Sequence, residues 1–383
     1  MISVFTEEQK VKILEDLVAI KSVNENEIEV AEYLKKIFEE HGIETSIVPV
    51  TDTRVNLVAE IGSGSPVFGI SGHMDVVSPG DESKWATDPF VLTEKEGKLY
   101  GRGANDMKSG LAALAIAMID IKENDSLQKG TVRFMATTGE EVGGAGAKKL
   151  YEEGYMEDVD ALIVAEPSQD VIVYSHKGSM NFKVSSNGQE AHSSMPHLGY
   201  NAIDPLTEFI TKANTEVRDP SRSNETLGEL IMNCTIIQGG QQVNSIPSLA
   251  TAEFNVRTIP EYDNEEVIDK FNHIAEGLNR EGANLTVEVT MSLPSVFTDG
   301  KSNLVKIAQA LGGKYFGVKP ELIGSPGVTD GSNLLRSKGD DFPFMMFGPG
   351  LTKMAHKNNE YVDRDVYLKF IDLYEEMIVE FNK

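Results

Sequence analysis

The chain has 383 residues, 40% of them hydrophobic and 25% charged, with a formal net charge of −25. That length accommodates two domains, and the acidity argues against nucleic acid, which needs a clustered basic footprint. One cysteine, Cys234, rules out an internal disulfide or a thiolate metal site within one chain. Set in the apolar run 230–237, it reads as a buried, inert thiol.

Met1-Ile2-Ser3-Val4-Phe5-Thr6-Glu7 lacks a basic segment followed by an apolar one, so no signal peptide is expected. No apolar stretch nears the roughly 20 residues that span a bilayer. A cytoplasmic location without a membrane partner is the expectation. Residues 6–20 place Val11, Leu14, Leu17 and Val18 on one face, and Thr6 with Gln9 predicts a capping box. Residues 27–41 repeat the period through Ile28, Ala31, Leu34 and Phe38 and stop at Gly42, a cap signal. Strands are predicted over 44–50, 56–61 and 67–71, the third running into Gly72-His73-Met74-Asp75. A loop over 77–99 carries Trp85, Asp88-Pro89-Phe90 and Gly97, then delivers Tyr100-Gly101-Arg102-Gly103-Ala104-Asn105-Asp106-Met107-Lys108-Ser109-Gly110.

Helix 111–121, strand 131–136, helix 145–153 and strand 161–165 follow, the last ending at Glu166-Pro167. Such alternation predicts an α/β domain around a mostly parallel sheet. Ligands collect beyond the carboxyl ends of such strands, and His73, Glu140, Glu141 and Glu166 each fall just past one. Side chains of adjacent residues on an extended backbone point opposite ways, so Glu140 and Glu141 are expected to do different jobs. From Gly178 the rhythm changes to strand 180–186, helix 201–213, strands 231–237 and 250–257, helix 264–279 and strand 284–291. This β-α-β-β-α-β order is ferredoxin-like. After Pro294 come helix 302–311, strand 342–347 and helix 364–381. The expected organisation is a catalytic domain over 1–177 and 294–383, with a module over 178–293 inserted. There is no internal repeat or low-complexity segment.

Without thiolates, a zinc or cobalt site must use imidazole and carboxylate ligands. His73, Asp106, Glu141, Glu166 and His356 are the candidates. Singly, each reads better as a hydrogen-bonded or surface polar residue; their recurrence at strand ends of one sheet is what suggests a site. By chemistry alone Asp75 reads as a turn residue, His192 as a capping histidine beside Ser193, and Arg257 as a strand-end surface charge.

The motifs Ser71-Gly72-His73-Met74-Asp75-Val76-Val77, Gly101 to Gly110, Thr138-Gly139-Glu140-Glu141 and Ala165-Glu166-Pro167-Ser168 then carry a resemblance. So do Gly188-Gln189-Glu190-Ala191-His192-Ser193-Ser194-Met195-Pro196, Phe347-Gly348-Pro349-Gly350 and Ala355-His356-Lys357-Asn358-Asn359-Glu360. In this order, over essentially the whole chain, they resemble the dinuclear-metal amidohydrolases of the M20 family. That family includes succinyl-diaminopimelate desuccinylase, acetylornithine deacetylase, aminoacylase and bacterial glutamate carboxypeptidases.

The resemblance implies an α/β, zinc-peptidase-like catalytic domain with an inserted ferredoxin-like dimerisation and lid domain. It implies two divalent ions per subunit, zinc first and cobalt or manganese as alternatives, bridged by Asp106. His73 and Glu166 would complete one ion's ligands, and Glu141 and His356 the other's. Glu140 would be the general base and Asp75 the carboxylate that orients the His73 imidazole. His192 would reach a partner subunit's site to stabilise the oxyanion, in a homodimer. Arg257 would pair with a substrate carboxylate, and Asn244, Lys177, Ser179 and Thr329 would be further substrate contacts. The Asp106–Met107 peptide is expected to be cis, and Asn105 stands where the family often has a small residue. Size, single lid and motif wording fit the desuccinylase/deacetylase branch, with an N-acyl amino acid as substrate. N-succinyl-diaminopimelate is expected first, then acetylornithine, acyl-amino acids or dipeptides. A non-catalytic binding protein keeping the fold would be favoured by loss of Glu140 or a ligand, and all are present. A serine hydrolase lacks its Gly-x-Ser-x-Gly elbow.

Overall fold

A computed structural model describes residues 3–383; the first two residues, part of the stretch read for a signal segment, lie outside them. Along the chain come α1 (Glu7–Ala19), α2 (Glu27–Glu40), β1 (Thr45–Pro49), β2 (Val55–Ser63), β3 (Val67–His73), α3 (Lys108–Glu123), β4 (Gly130–Thr137), α4 (Ala145–Glu152), β5 (Ala161–Pro167) and β6 (Val171–His176). Next are β7 (Ser179–Asn187), α5 (Ile203–Glu216), β8 (Ile231–Gly239), β9 (Leu249–Arg257), α6 (Asn264–Arg280) and β10 (Leu285–Leu293). The chain closes with α7 (Asn303–Phe316), β11 (Glu321–Ser325), α8 (Gly331–Leu334), β12 (Phe344–Gly348) and α9 (Arg364–Phe381). Contacts divide it into one unit of Met1–Ser175, Thr298–Ile323 and Thr329–Lys383, and a second of His176–Phe297 and Gly324–Val328. The short return 324–328 into the second unit is a feature that periodicity does not mark. Among the described residues, no helix is long and apolar enough to cross a membrane.

In the first unit, α1 begins at the predicted capping box: Thr6 Oγ1 accepts from Gln9 N, and the Gln9 side chain accepts from Thr6 N. The sheet runs β1-β2-β4-β3-β5-β12-β6-β11. Its central strands β4, β3, β5 and β12 are parallel, while the β1–β2, β2–β4 and β12–β6 pairs are antiparallel. Strands β3 and β5 are buried along their whole lengths, as parallel strands covered on both faces must be. Helix α3 is buried on every side from Lys108 to Ile121, packs on α9 and forms the centre of the core. Leu111, fully buried there, would cost about 2–5 kcal/mol on truncation to alanine. Gly110 lets α3 start hard against β5, because a Cβ there would lie 2.1 Å from the Ala165 carbonyl oxygen. That approach brings the loop before α3 to the end of β5.

The 77–99 stretch, expected to be loop, ends in a hairpin of strands Thr93–Lys95 and Lys98–Tyr100, joined by Tyr361–Asp363. Three-residue strands are too short for alternation to register. This small sheet fastens the chain just before Asp106 to the chain just after His356.

The second unit is an antiparallel sheet in the order β8-β9-β7-β10, with α5 following β7 and α6 following β9. That is the split-βαβ arrangement. On β9, Ala250, Ala252, Phe254 and Val256 alternate inward. Phe182 stacks on Phe271 at 4.1 Å, and Phe254 meets Phe271 edge-on at 5.2 Å. Cys234 is half-buried rather than buried: it lies on the edge strand β8, where a bulge between Cys234 and Ile236 breaks the alternation.

Candidate metal centre

Three of the four parallel strands, β3, β4 and β5, deliver polar residues to one edge of the first unit's sheet, where ligands of α/β folds gather. Strand β3 ends at His73, β5 carries Glu166, and β4 ends at Thr137, three residues before Glu140. Gly139 and Gly143, at φ +76° and +111°, bracket a 3-10 turn over Glu140–Val142. The carboxylate pair is therefore on a turn and not on the extended backbone expected. Successive residues of such a turn differ by about 120°, so Glu140 and Glu141 still diverge.

Nδ1 of His73 donates to the main-chain carbonyl of Asp75 at 2.9 Å. This leaves Nε2 facing Asp106 Oδ1 at 3.3 Å and Glu166 Oε1 at 3.9 Å. On the other side, Nε2 of His356 lies 3.0 Å from Glu141 Oε2 and 3.6 Å from Asp106 Oδ2. Potential ligand atoms within 4.8 Å of one another form three groups: His73 with Asp106 and Glu166, Asp106 with Glu141 and His356, and His73 with Glu140 and Glu141. Asp106 is common to the first two, turning one oxygen to each histidine. The peptide following it, Asp106–Met107, is cis.

Asp75 differs from expectation. Its carboxylate is 3.8 Å from His73 Nδ1, and the imidazole is oriented by the Asp75 carbonyl instead. Oδ1 accepts the N–H of Gly139 at 2.8 Å and of Glu140 at 3.2 Å, and Oδ2 accepts Glu141 N–H at 3.1 Å. Asp75, fully buried, thus anchors the turn that carries both glutamates.

Burial drives the Glu140 carboxyl well above its usual range; His73 opposes this, and Glu166, Asp330 and Glu141 add to it. Glu166 is raised in the same way, with Asp106 and Glu141 adding. For His73, burial disfavours the imidazolium, but Asp106, Glu166, Asp75 and Glu140 outweigh it and hold the group well above its ordinary value. At Asp106 burial is likewise overcome, by His73 and His356, and the carboxyl is lowered. The hydrogen bond that His356 donates to the Glu141 carboxylate raises His356 above its ordinary value. Four carboxylates and two imidazoles thus converge with no lysine or arginine of the described residues paired to them. Arg102 pairs with Glu360, and Lys108 Nζ donates to the carbonyls of Leu17 and Ile20. A divalent cation fits this donor set, its charge and the buried His73 ring, whose Nδ1 is taken by the Asp75 carbonyl and whose Nε2 faces the carboxylates.

In the second unit the candidates form two sets. Lys177, Ser179 and Arg257 share one end of the sheet, where Lys177 Nζ donates to the Glu229 carbonyl and Arg257 is half-buried. His192 and Asn244 lie beyond the other end, exposed on the ribbon that pairs Ala191–His192 with Ser245–Ile246. Nδ1 of His192 accepts from Ser194 N at 3.2 Å, and Asn244 O accepts from Ser193 N at 3.0 Å. The length of β7, 9 residues, separates the sets by roughly 26 Å at about 3.3 Å per residue. Thr329, buried in the first unit, accepts Gly331 N–H at 3.2 Å and helps begin α8. Its neighbour Asp330 went unnoticed in the sequence: buried, it takes a 2.5 Å hydrogen bond from Thr137 Oγ1, while its Oδ1 has no partner. Only three-dimensional proximity to Thr137 could have revealed it.

Fold and cluster together define an α/β protein with a candidate metal centre at the carboxyl edge of its sheet. The chain belongs to peptidase family M20/M25/M40, whose sequence profile matches residues 69–380. A protein of Staphylococcus epidermidis described as "Probable succinyl-diaminopimelate desuccinylase" is 41% identical, over 98% of each chain. A succinyl-diaminopimelate desuccinylase of Rickettsia rickettsii is 29% identical, over 97% of this chain and 99% of that one. Among solved structures, an M20 family metallo-carboxypeptidase from Sulfolobus solfataricus superposes with a TM-score of 0.83 at 21% identity, covering 98% of this chain and 99% of its own.

Proposed function

We propose that this protein hydrolyses the amide bond of N-succinyl-L,L-2,6-diaminopimelate, releasing succinate and L,L-diaminopimelate. The observation that carries the reading is Asp106 shared between two ligand groups, in a chain similar along its whole length to proteins bearing the desuccinylase name. His73, Asp106 and Glu166 would hold one divalent ion and Asp106, Glu141 and His356 a second, with zinc preferred and cobalt or manganese able to substitute. Two such ions, when bound, supply Lewis acidity toward the scissile carbonyl and a nucleophilic water at neutral pH.

Glu140 is the general base. Its position beside His73 and Glu141, outside the two groups that share Asp106, leaves its carboxylate free to take a proton and return it to the departing amine. Asp75 holds that carboxylate in place through the 139–141 backbone. Arg257, half-buried and with a side chain that makes no hydrogen bond or ion pair among the described residues, binds a substrate carboxylate as a two-pronged donor. Lys177, Ser179 and Thr329 are further substrate contacts. His192 and Asn244, at the far end of β7, serve a second copy of the chain, where His192 stabilises developing oxyanion charge. Homodimerisation through the second unit is supported by edge strand β8, which exposes Ile231, Ile236 and Ile237; apolar side chains on an open strand edge favour a paired partner. A cytoplasmic location completes the reading.

The test is a substrate panel with added zinc or cobalt: succinyl-diaminopimelate, acetylornithine, acyl-amino acids and dipeptides. The largest kcat/KM is expected with succinyl-diaminopimelate. A preference for any other member overturns the assignment while leaving the amide chemistry intact.

A further inference from the structure

His356 has little of its own to hold it. Its side chain is 54% exposed, its backbone is left-handed at φ +61°, and among the described residues the polar partners of its ring are Glu141 and Asp106. A histidine so placed keeps ligand geometry only if its loop is fixed at both ends. Each end of that loop is fastened to the segment that carries Asp106.

At the leading end, the side chain of Asn105, fully buried, grips Leu351 in both directions. Oδ1 accepts Leu351 N–H at 2.7 Å and Nδ2 donates to Leu351 O at 3.2 Å. The fit is close, since a Cβ on Gly350 would lie 2.5 Å from Asn105 Oδ1. At the trailing end, Glu360, also fully buried, receives the Asp106 loop in its carboxylate. Oε1 accepts the N–H of Gly103 at 3.1 Å, of Asn105 at 2.8 Å and of Asp106 at 2.9 Å, while Oε2 pairs with Arg102. The Glu360 carbonyl accepts Gly101 N–H at 3.0 Å. Lesser tethers run elsewhere: Thr352 Oγ1 donates to Pro167 O at 2.8 Å, and Asn359 Oδ1 accepts Ala86 N–H at 2.6 Å. Among the described residues, Asn105 and Glu360 are the side chains that hydrogen-bond the His356 loop to the residues next to Asp106, in addition to the strand pairing of 361–363 with 98–100.

We infer that Asn105 and Glu360 are positioning residues that set the distance between Asp106 and His356, and hence the affinity of the ion those two residues share with Glu141. Neither side chain touches a donor atom of the centre; both act through the backbone on either side of it. The inference rests on the two-ion reading above. It adds that the two ions depend differently on this clamp, because His73 and Glu166 come from strands β3 and β5, outside it.

The test is titration of metal-free protein with Zn²⁺ and with Co²⁺ alone, by calorimetry and by equilibrium dialysis with metal analysis. For N105A one ion is expected to weaken about 10–100-fold, the usual effect of removing a partner behind a ligand, while the other keeps its wild-type affinity. E360Q keeps the side-chain volume but sets an amide against Arg102, and should weaken the same ion. Equal weakening of both ions would mean a general loss of stability and would overturn the inference, as would wild-type isotherms in both variants. Should N105A fail to fold by circular dichroism, E360Q decides. H356A separates the two levels of argument. If it leaves both ions tight, the assignment of His356 as a ligand fails; if it loosens one ion while N105A and E360Q loosen neither, only the clamp fails.

Discussion

Substitution of Asp75 by asparagine isolates the turn that carries Glu140 and Glu141. Three backbone N–H groups converge on this buried carboxylate, at 2.8, 3.2 and 3.1 Å. Asparagine has one acceptor oxygen. Placed where Oδ1 stands, it keeps Gly139 and Glu140 but sets its amide against Glu141 N–H, and the two retained bonds lose their ionic character. A lost bond to a charged group, with a buried donor left over, costs about 2–3 kcal/mol, and the turn relaxes. Displacement of a reacting group by about 1 Å lowers turnover on the order of 100-fold. Denaturant unfolding of the metal-free variant gives the first quantity, steady-state kinetics gives the second, and metal titration shows which ion is affected. The ion sharing Glu141 should loosen with D75N and the one on His73 and Glu166 should not, since the His73 ring is held by the Asp75 carbonyl, which asparagine retains. Wild-type stability and kcat in D75N, or selective loss of the His73 ion, would refute the anchoring role.

Asp330 offers a pH test. Burial, with Asp75 adding and Thr137 and His73 opposing, raises its carboxyl from 3.8 to about 6. An acid that holds its proton more tightly when folded loses stability as pH climbs from its unfolded to its folded value, and the loss is complete above the latter. D330N should therefore gain stability over wild type by about 2 kcal/mol more at pH 8 than at pH 4 in metal-free protein; a pH-independent difference would refute this. R257A should lower kcat/KM about 10–100-fold, chiefly through KM, as loss of a bond to a substrate carboxylate does; an unchanged KM would remove Arg257 from the substrate site. Mixing inactive H192A and E140A subunits should restore activity, because one of the two sites in each mixed dimer combines Glu140 of one subunit with His192 of the other; no recovery in verified heterodimers would place His192 outside the chemistry.

Long elements were legible because their periods run far enough to read: the Thr6 capping box, the apolar runs that open β3 and β5, and the alternation on β9 all lie in contiguous residues. The ligand set was legible because strand ends of a parallel sheet share one edge, so His73, Glu141 and Glu166 could be grouped before their distances were known. Asn105, Asp330 and Glu360 were not legible as parts of the site, because each acts across more than 190 residues of separation, on Leu351, Thr137 and the 103–106 loop respectively. The three partners of the Asp75 carboxylate, 64 to 66 residues along the chain, were likewise beyond the reach of local periodicity. The 3-10 turn at Glu140 was misread as extended because Gly139 and Gly143 redirect the chain within a few residues, below the span over which periodicity can speak.

The division of labour between the adjacent glutamates is tested most directly by titrating metal-free E140Q and E141Q with Zn²⁺ and assaying both for succinate release. E140Q should bind two ions per chain as wild type does and lose turnover by about 10²–10⁴-fold, whereas E141Q should bind one ion normally and the other weakly. An E140Q variant that loses an ion, or an E141Q variant that binds both as wild type does, would contradict it.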